Sequence, residues 1–127
     1  MASEPSRRAL HPGFNTGNER IAVALPPGGT LVGVPATGPD AALSHTRGWL
    51  YVKLGWWRKR GTLALSGRRI GGGARRVIAE VGPLPSYGAP AGEFFPSALY
   101  FQKPGCWKIT ATAGGARLDV VVRVTKA

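Results

Sequence analysis

Residues 106–125 read CWKITATAGGARLDVVVRVT, and this stretch gives the clearest indication of the fold class. In its second half, apolar and polar residues alternate with a period of two, as on a half-buried β-strand. The apolar members are Leu118, Val120, Val122 and Val124. The first half alternates in the same way from Trp107 to Ala111, and Gly114-Gly115 suits a two-residue turn that needs positive φ. We therefore expect a β-hairpin with one face in the core.

Similar short segments, bounded by Gly, Pro or Asn, extend through the rest of the chain. The predicted strands are residues 20–25, 30–34, 48–57, 62–66, 75–81, 97–101, 106–113 and 116–125. The 19 glycines and 11 prolines leave no room for a long helix, since Gly and Pro cost about 1 and 3 kcal/mol in a helix interior. We expect an all-β fold, an immunoglobulin-like antiparallel β-sandwich of about seven or eight strands over residues 20–127, after a loosely ordered N-terminal arm over residues 1–19.

Length and composition restrict the kind of domain further. A chain of 127 residues is of single-domain size and buries a core without a metal or disulfide. Cys106 is the only cysteine, so an internal disulfide and cysteine-based metal clusters are excluded. No stretch approaches the roughly 18 uninterrupted apolar residues of a membrane-spanning helix. We expect no cofactor, no metal and no membrane-spanning segment.

Catalytic residues are not expected either. Paired-carboxylate chemistry needs two acids within a few ångströms of each other. The six acids are far apart along the chain: Glu4, Glu19, Asp40, Glu80, Glu93 and Asp119. His11 and His45 lie in loop-like stretches, and Cys106 follows a Pro-Gly turn where a small buried residue is expected. A copper site of the cupredoxin type fails because no His or Met follows Cys106. We predict that the protein is not an enzyme.

Positive charge is concentrated in the middle of the chain. Lys and Arg number 17 against 6 acids, and residues 41–79 hold nine bases and no acid. Within residues 66–76, SGRRIGGGARR, arginines flank three consecutive glycines, an arrangement that suits phosphate contact by backbone amides and guanidinium groups. The predicted polyanion-binding residues are Arg58, Lys59, Arg60, Arg68, Arg69, Arg75 and Arg76. The alternative is that these side chains only solvate the surface.

The strand at residues 48–57 leaves two registers open. If Leu50, Val52, Leu54 and Trp56 face inward, then Trp49, Tyr51, Lys53 and Trp57 face outward, and a slip by one residue exchanges the sets. Either Trp56 or Trp57 is therefore buried. Outward aromatics offer a platform for sugar rings, and its candidate members are Trp49, Tyr51, Trp57 and Tyr87. The alternative is that the aromatics around Tyr87 anchor a long connection.

Two segments resemble a known family: residues 53–70, KLGWWRKRGTLALSGRRI, and residues 94–124, FFPSALYFQKPGCWKITATAGGARLDVVVRV. They resemble an uncharacterised bacterial family of small, usually exported immunoglobulin-like β-sandwich proteins. Its members combine a Trp-Trp-Arg step, a strand ending in Gly-Arg-Arg, a Pro-Gly-Cys-Trp turn and a Val-rich last strand. The matching positions are Trp56, Trp57, Arg58, Gly67, Arg68, Arg69, Pro104, Gly105, Cys106 and Trp107.

This resemblance covers about residues 18–124 and implies a fold and an extracytoplasmic location, but no activity. The sequence departs from the family pattern in two ways. Arg7 and Arg8 are not followed by an apolar stretch, so no export signal is recognised in the chain. The loop at residues 68–76 is more basic and richer in glycine than the family pattern implies.

The functional expectation is a non-enzymatic binding or structural module, of the cell envelope or exterior, that mediates protein interaction through strand edges and loops. A protein is thus the first expected partner. The second expectation is a polyanion-binding module that uses the basic segment to contact nucleic acid, an anionic glycan or lipid headgroups. The third is a carbohydrate-binding module that uses the exposed aromatics.

Overall fold

The computed structural model describes residues 15–36, 48–71, 77–81 and 95–127, and most of these residues are in β-strands. The strands are β1 (Thr16–Gly17), β2 (Ile21–Val23), β3 (Thr30–Pro35), β4 (Leu50–Arg58), β5 (Ala64–Arg69), β6 (Ile78–Val81), β7 (Phe95–Phe101), β8 (Gly105–Ala113) and β9 (Ala116–Lys126). A short 3-10 turn, Pro27–Gly29, precedes β3. None of the described segments forms a helix with the length and apolarity needed to span a bilayer. The all-β prediction is confirmed.

The strands form two layers that β3 joins. In the first sheet, β6, β7 and β4 lie side by side, and the other edge of β4 pairs with β2 and with the end of β3. In the second sheet, the order is β5, β8, β9 and β3. The first half of β3 pairs with β9 in parallel, and Val34 and Pro35 then pair with β4. The other pairs are antiparallel, so the described strands form a mostly antiparallel, sandwich-like fold.

Side chains from both layers meet in one apolar core. Trp56 on β4 and Trp107 on β8 are both 0% exposed and belong to the same cluster of buried residues. The ring of Trp107 meets Phe101 edge to face at 5.4 Å, and its Nε1 donates to the carbonyl of Lys103 at 3.1 Å. Burying a large apolar side chain contributes roughly 1.5–3 kcal/mol. The two tryptophans, one from each layer, therefore supply much of the packing between the sheets.

The hairpin at the end of the chain forms as predicted. Gly114 and Gly115 make the turn between β8 and β9 with φ of 53° and 82°, the left-handed values that a two-residue turn of this type requires. Val120, Val122 and Val124 are buried, and Leu118 is partly buried against the same core. The polar residues between them face away from the core. This alternation places every second residue of β8 and β9 on the outer surface of the second sheet.

The register of β4, which the sequence leaves open, is resolved in favour of a buried Trp56. Trp56 is 0% exposed, whereas Trp57 is half-buried on the outer side. The indole Nε1 of Trp56 donates to Ser97 Oγ at 2.9 Å, and the Ser97 hydroxyl donates to the Leu54 carbonyl at 2.9 Å. Because a buried N–H without an acceptor costs about 1–3 kcal/mol, Ser97 on the neighbouring β7 stabilises this register.

The folded part of the chain begins before residue 20. Thr16 and Gly17 pair with β2 within the segment assigned to the N-terminal arm. The Asn15 side chain also bonds to both backbone groups of Leu25, accepting from its N–H at 3.0 Å and donating to its carbonyl at 2.9 Å. Residues 1–14 of the arm lie outside the described residues. Residues 15–19 thus belong with the sheet.

Candidate functional site on the outer face of the second sheet

The outer face of the second sheet is formed by the side chains of β5, β8 and β9 that point away from the core. They are Ala64, Ser66 and Arg68 on β5, then Cys106, Lys108, Thr110 and Thr112 on β8, then Arg117, Asp119, Val121, Arg123 and Thr125 on β9. Except for the valine and the alanine, these side chains are polar or charged or carry a thiol. The face presents no aromatic ring on these three strands.

Three cations lie next to one another on this face, and we refer to them as the cation row: Arg68, Lys108 and Arg123. Arg68 stands directly opposite Lys108 in the β5–β8 register, where side-chain Cβ atoms lie about 4.5–5.5 Å apart. Arg123 stands opposite Cys106, which makes it a diagonal neighbour of Lys108 at roughly 7–8 Å. Arg68 and Arg123 are exposed and Lys108 is half-buried. Like charges in such positions repel one another and together produce a local positive potential. That potential attracts anions.

Asp119 is the acid on this face, and its carboxylate is engaged by its neighbours. Thr110 Oγ1 donates to Asp119 Oδ1 at 2.6 Å, and Arg117 Nε lies 3.1 Å from Asp119 Oδ2. The Thr110 hydrogen bond does most to lower the pKa of Asp119, slight desolvation opposes it, and Arg117 and then Lys108 lower that pKa further. Asp119 therefore stays ionised and pairs with Arg117. It is also a diagonal neighbour of Lys108 in the β8–β9 register, so it offsets part of the positive potential on that side of the cation row.

The predicted basic residues fall into separate places. Arg68 joins the cation row, but Arg69 points to the opposite side of β5, where a Cβ added to Gly105 would lie 3.1 Å from its Nε. Arg58 stacks over the Phe95 ring, with its Cζ 4.7 Å from the ring centroid. Lys59 and Arg60 are exposed in the loop between β4 and β5. Arg75 and Arg76 lie outside the described residues.

The described members of the predicted polyanion-binding set lie at opposite ends of β5: Arg58, Lys59 and Arg60 at its start, and Arg68 and Arg69 at its end. Arg58 is the last residue of β4, and the loop residues Lys59 and Arg60 lie near the turn of the last hairpin. Arg68 is instead near the far end of β5, a strand roughly 16 Å long. The structure does not bring them together into one short site. It instead adds Lys108 and Arg123, which the sequence reasoning missed because they lie outside the basic segment. The alternation in the predicted hairpin could have indicated them, because it places both side chains on the outer face.

The described members of the predicted aromatic platform are spread along the first sheet. Trp49, Tyr51 and Trp57 are half-buried on the outer side of the first sheet, and Tyr51 and Trp57 are about 20 Å apart along β4. The Tyr51 ring packs against Tyr100 at 5.3 Å with the planes tilted by 54°, and Tyr100 is only 2% exposed. Tyr87 lies outside the described residues.

The described residues offer little for catalysis or metal binding. Among them, no group of three or more His, Cys, Asp or Glu is close enough to hold a metal ion. Cys106 is a free, half-buried thiol opposite Arg123. His11 and His45 lie outside the described residues. The expectation of a protein without catalytic residues or cofactor stays a prediction.

A shallow depression of about 450 Å³ lies beside the last hairpin turn. It is lined by Asn18, Glu19, Arg20, Gly115, Ala116 and Arg117, most of which are exposed. The Asn18 amide donates to the Arg117 carbonyl at 3.3 Å, which ties the β1–β2 connection to β9. With acid and base side by side and an open rim, this depression lacks the enclosed apolar walls typical of small-molecule sites.

The chain matches no family model. No curated protein and no solved structure matches it either. The resemblance to the exported immunoglobulin-like family stays a prediction.

Proposed function

We propose that the protein is a non-enzymatic, immunoglobulin-like binding module of the cell envelope or exterior, and that it binds an anionic polymer on the outer face of the second sheet. The strand order supports the immunoglobulin-like part of this proposal. Constant-type immunoglobulin domains place strands A, B, E and D in one sheet and C, F and G in the other. The orders β3, β4, β7, β6 and β5, β8, β9 correspond to these two sets.

The observation that carries the ligand proposal is the cation row. Arg68, Lys108 and Arg123 come from three different strands and meet on one face. None of them forms an ion pair in the part of the chain that the structure describes, where the salt bridge on this face is Arg117–Asp119. A cluster of cations of this kind raises the local concentration of polyanions and gains affinity when counterions are released.

The triple variant Arg68→Ala/Lys108→Ala/Arg123→Ala tests this proposal. We expect its affinity for dextran sulfate at 50 mM salt to fall about 100-fold, because each surface cation contributes roughly 1 kcal/mol of attraction to an anionic surface and every 1.4 kcal/mol is about tenfold in affinity. The dependence of the logarithm of the affinity on the logarithm of salt should also become shallower. Isothermal titration calorimetry at several salt concentrations measures both quantities.

The matched control removes three exposed cations elsewhere, as Lys53→Ala/Lys59→Ala/Arg60→Ala. Both variants have the same net charge, so a general effect of charge lowers their affinities equally. An equal loss in the two variants, or a larger loss in the control, contradicts the placement of the site on the second sheet.

A protein partner is the second candidate, supported by exposed valines on β3. Val32 and Val34 are 59% and 45% exposed where the two sheets join. Exposed apolar side chains on a strand favour contact with another protein.

We expect a partner that is captured by the unaltered protein to be lost by Val32→Ser/Val34→Ser, with no change in affinity for dextran sulfate. Equal capture by both proteins, measured by quantitative mass spectrometry, contradicts this second function. The separation of Tyr51 from Trp57 along β4 gives carbohydrate stacking less support.

A further inference from the structure

The exposed large apolar side chains in the described part of the chain all lie beside the cation row. They are Val32 and Val34 on β3 and Ile70, which is 41% exposed, at the end of β5. Apolar side chains scattered singly over a surface are ordinary, whereas a grouping of them beside charged residues is typical of an interaction site. The position of these three side chains therefore bears on the kind of ligand that the row binds.

The β3 end of the cation row carries the two exposed valines. Val32 stands opposite Thr125 in the parallel β3–β9 register and shares the outer face with it. Arg123 is two residues before Thr125 on β9, so it lies one strand across and two residues along from Val32, roughly 8 Å away. Val34 follows on the outer side of β3, roughly 6.6 Å beyond Val32. The exposed valines thus extend the outer face past its last cation.

The backbone that presents these valines is held on both sides. On the β9 side, the Gly33 carbonyl accepts from the Ala127 N–H at 2.9 Å. On the β4 side, the Ala36 N–H donates to the Trp49 carbonyl at 2.7 Å, and a Cβ added to Gly33 would lie 2.8 Å from Leu50 Cβ. Because β3 is fixed before any ligand arrives, covering the valines costs little conformational entropy in the protein.

The opposite end of the cation row carries Ile70. This residue follows β5, two positions after Arg68, and its N–H donates to the Cys106 carbonyl at 3.0 Å. Cys106 is two residues before Lys108 on β8, so the hydrogen bond ties Ile70 to the strand of the middle cation. The cation row therefore has an exposed apolar side chain beyond each of its two ends.

The width of the face sets the length of a ligand that reaches both ends. From β5 to β3 there are three steps between neighbouring strands, through β8 and β9. With about 4.8 Å for each step, the apolar ends are roughly 15 Å apart, which an extended peptide covers in about four or five residues. A short segment with acidic residues in its middle and an apolar residue at each end matches this arrangement.

An acidic protein segment supplies both kinds of group that the surface can bind. Its carboxylates are attracted by the cation row, and its aliphatic side chains gain free energy when they cover the exposed valines and Ile70. A membrane surface also combines anions with apolar groups, but amphipathic membrane anchors bury one apolar face that is rich in Trp, Phe and Leu. Here the apolar side chains are short, and the cations separate the two ends. A protein segment is therefore the better match.

We infer that the ligand of the outer face is an acidic protein segment, with its carboxylates on the cation row and its aliphatic side chains against Val32 and Val34 at one end and Ile70 at the other. This inference rests on the proposed function, since it names the kind of anionic polymer that the site binds. It assigns the exposed valines of β3 and the cation row to the same ligand.

Two synthetic peptides of equal charge test the inference in NMR titrations of the ¹⁵N-labelled protein at 20 mM salt. The first is an acetylated and amidated hexapeptide with four central glutamates and a leucine at each end, and in the second serine replaces both leucines. We expect the unaltered protein to bind the leucine peptide about tenfold more tightly, because its ends remove apolar surface from water. The variant Val32→Ser/Ile70→Ser should bind the two peptides equally.

Two further variants identify the contacts that produce this preference. Val32→Ile/Ile70→Leu keeps apolar surface at both ends and should keep the tenfold preference. The cation-row variant, Arg68→Ala/Lys108→Ala/Arg123→Ala, should weaken the binding of both peptides by the same factor, because the peptides carry the same charge. Val32→Ser/Ile70→Ser should bind dextran sulfate as the unaltered protein does, which also shows that this variant is folded.

The results distinguish failure of the inference from failure of the proposed function. If the unaltered protein binds the two peptides equally, and dextran sulfate binding is lost in the cation-row variant, the protein-segment assignment falls and the polyanion module stands. A pentathymidylate, with its four phosphates, that binds as tightly as the leucine peptide has the same meaning. Equal binding of the peptides, together with phosphatidylglycerol vesicles that bind less to Val32→Ser/Ile70→Ser, replaces the protein segment with a membrane. If neither peptide nor dextran sulfate binds, both proposals fall.

Discussion

Replacing Trp107 with alanine is expected to lower the free energy of unfolding by about 3–5 kcal/mol. The indole is 0% exposed, meets Phe101 edge to face at 5.4 Å, and donates to the Lys103 carbonyl at 3.1 Å. Truncation removes this contact, leaves a cavity between the sheets, and releases the connection that leads from β7 into β8. Urea unfolding followed by circular dichroism measures the loss, and the melting temperature should fall by roughly 10–20 °C.

Two controls make the Trp107 prediction specific. Lys108 is the next residue on β8 and faces outward, so Lys108→Ala should change the free energy of unfolding by less than about 0.5 kcal/mol. Trp107→Phe keeps a ring against Phe101 and should cost less than the alanine variant. If Trp107→Ala lowers the free energy of unfolding by less than about 1 kcal/mol, then Trp107 is not the packing element that joins the layers. The same conclusion follows if Lys108→Ala lowers it as much as Trp107→Ala does.

The second large effect is expected at Gly61, in the loop between β4 and β5. Its φ is 86°, and an added Cβ would lie 2.6 Å from Gly114 Cα and closer still to Gly114 N. The loop and the last hairpin thus touch backbone to backbone. We expect Gly61→Ala to lower the free energy of unfolding by about 3 kcal/mol, since a left-handed conformation costs an L-residue about 1–2 kcal/mol and forced overpacking adds about 1–3 kcal/mol. Chemical denaturation measures the change.

Gly48 supplies the matched control for this prediction. Its φ of 84° is nearly the same as that of Gly61, but a Cβ added there meets none of the residues that the structure describes within 4 Å. Gly48→Ala should therefore lower the free energy of unfolding only by the cost of the left-handed backbone conformation, about 1–2 kcal/mol. The difference between the variants isolates the contact between the loop and the turn. Equal losses at the two positions would mean that the close approach of Gly61 to Gly114 does not contribute to stability.

The last hairpin was predictable because its signals are local. Alternation from Leu118 to Val124 sets which side chains face the core, and Gly114-Gly115 sets the turn and with it the pairing of β8 with β9. The structure agrees at both points. The predicted strands elsewhere also correspond to observed ones, with ends that differ by a few residues, whereas β1 was missed because two residues carry no detectable period.

The register of β4 was not predictable in the same way. Both faces of that strand carry large apolar side chains, so its pattern fits either Trp56 or Trp57 in the core. The register with Trp56 buried is stabilised by Ser97, whose hydroxyl accepts a hydrogen bond from the Trp56 indole N–H. Ser97 lies on another strand, more than forty residues further along the chain. A partner on another strand provided the information that alternation within β4 lacks.

Local periodicity was enough to establish the all-β class, the terminal hairpin and the outward positions of Lys108 and Arg123, because the side-chain direction in a strand depends only on parity. The cation row and the contact of Gly61 with Gly114 depended on which distant strands pair and in what register. Arg68 stands beside Lys108 because β5 pairs with β8 and not with β4, its predecessor in the chain. That choice minimises the free energy of the whole core, which no single segment encodes.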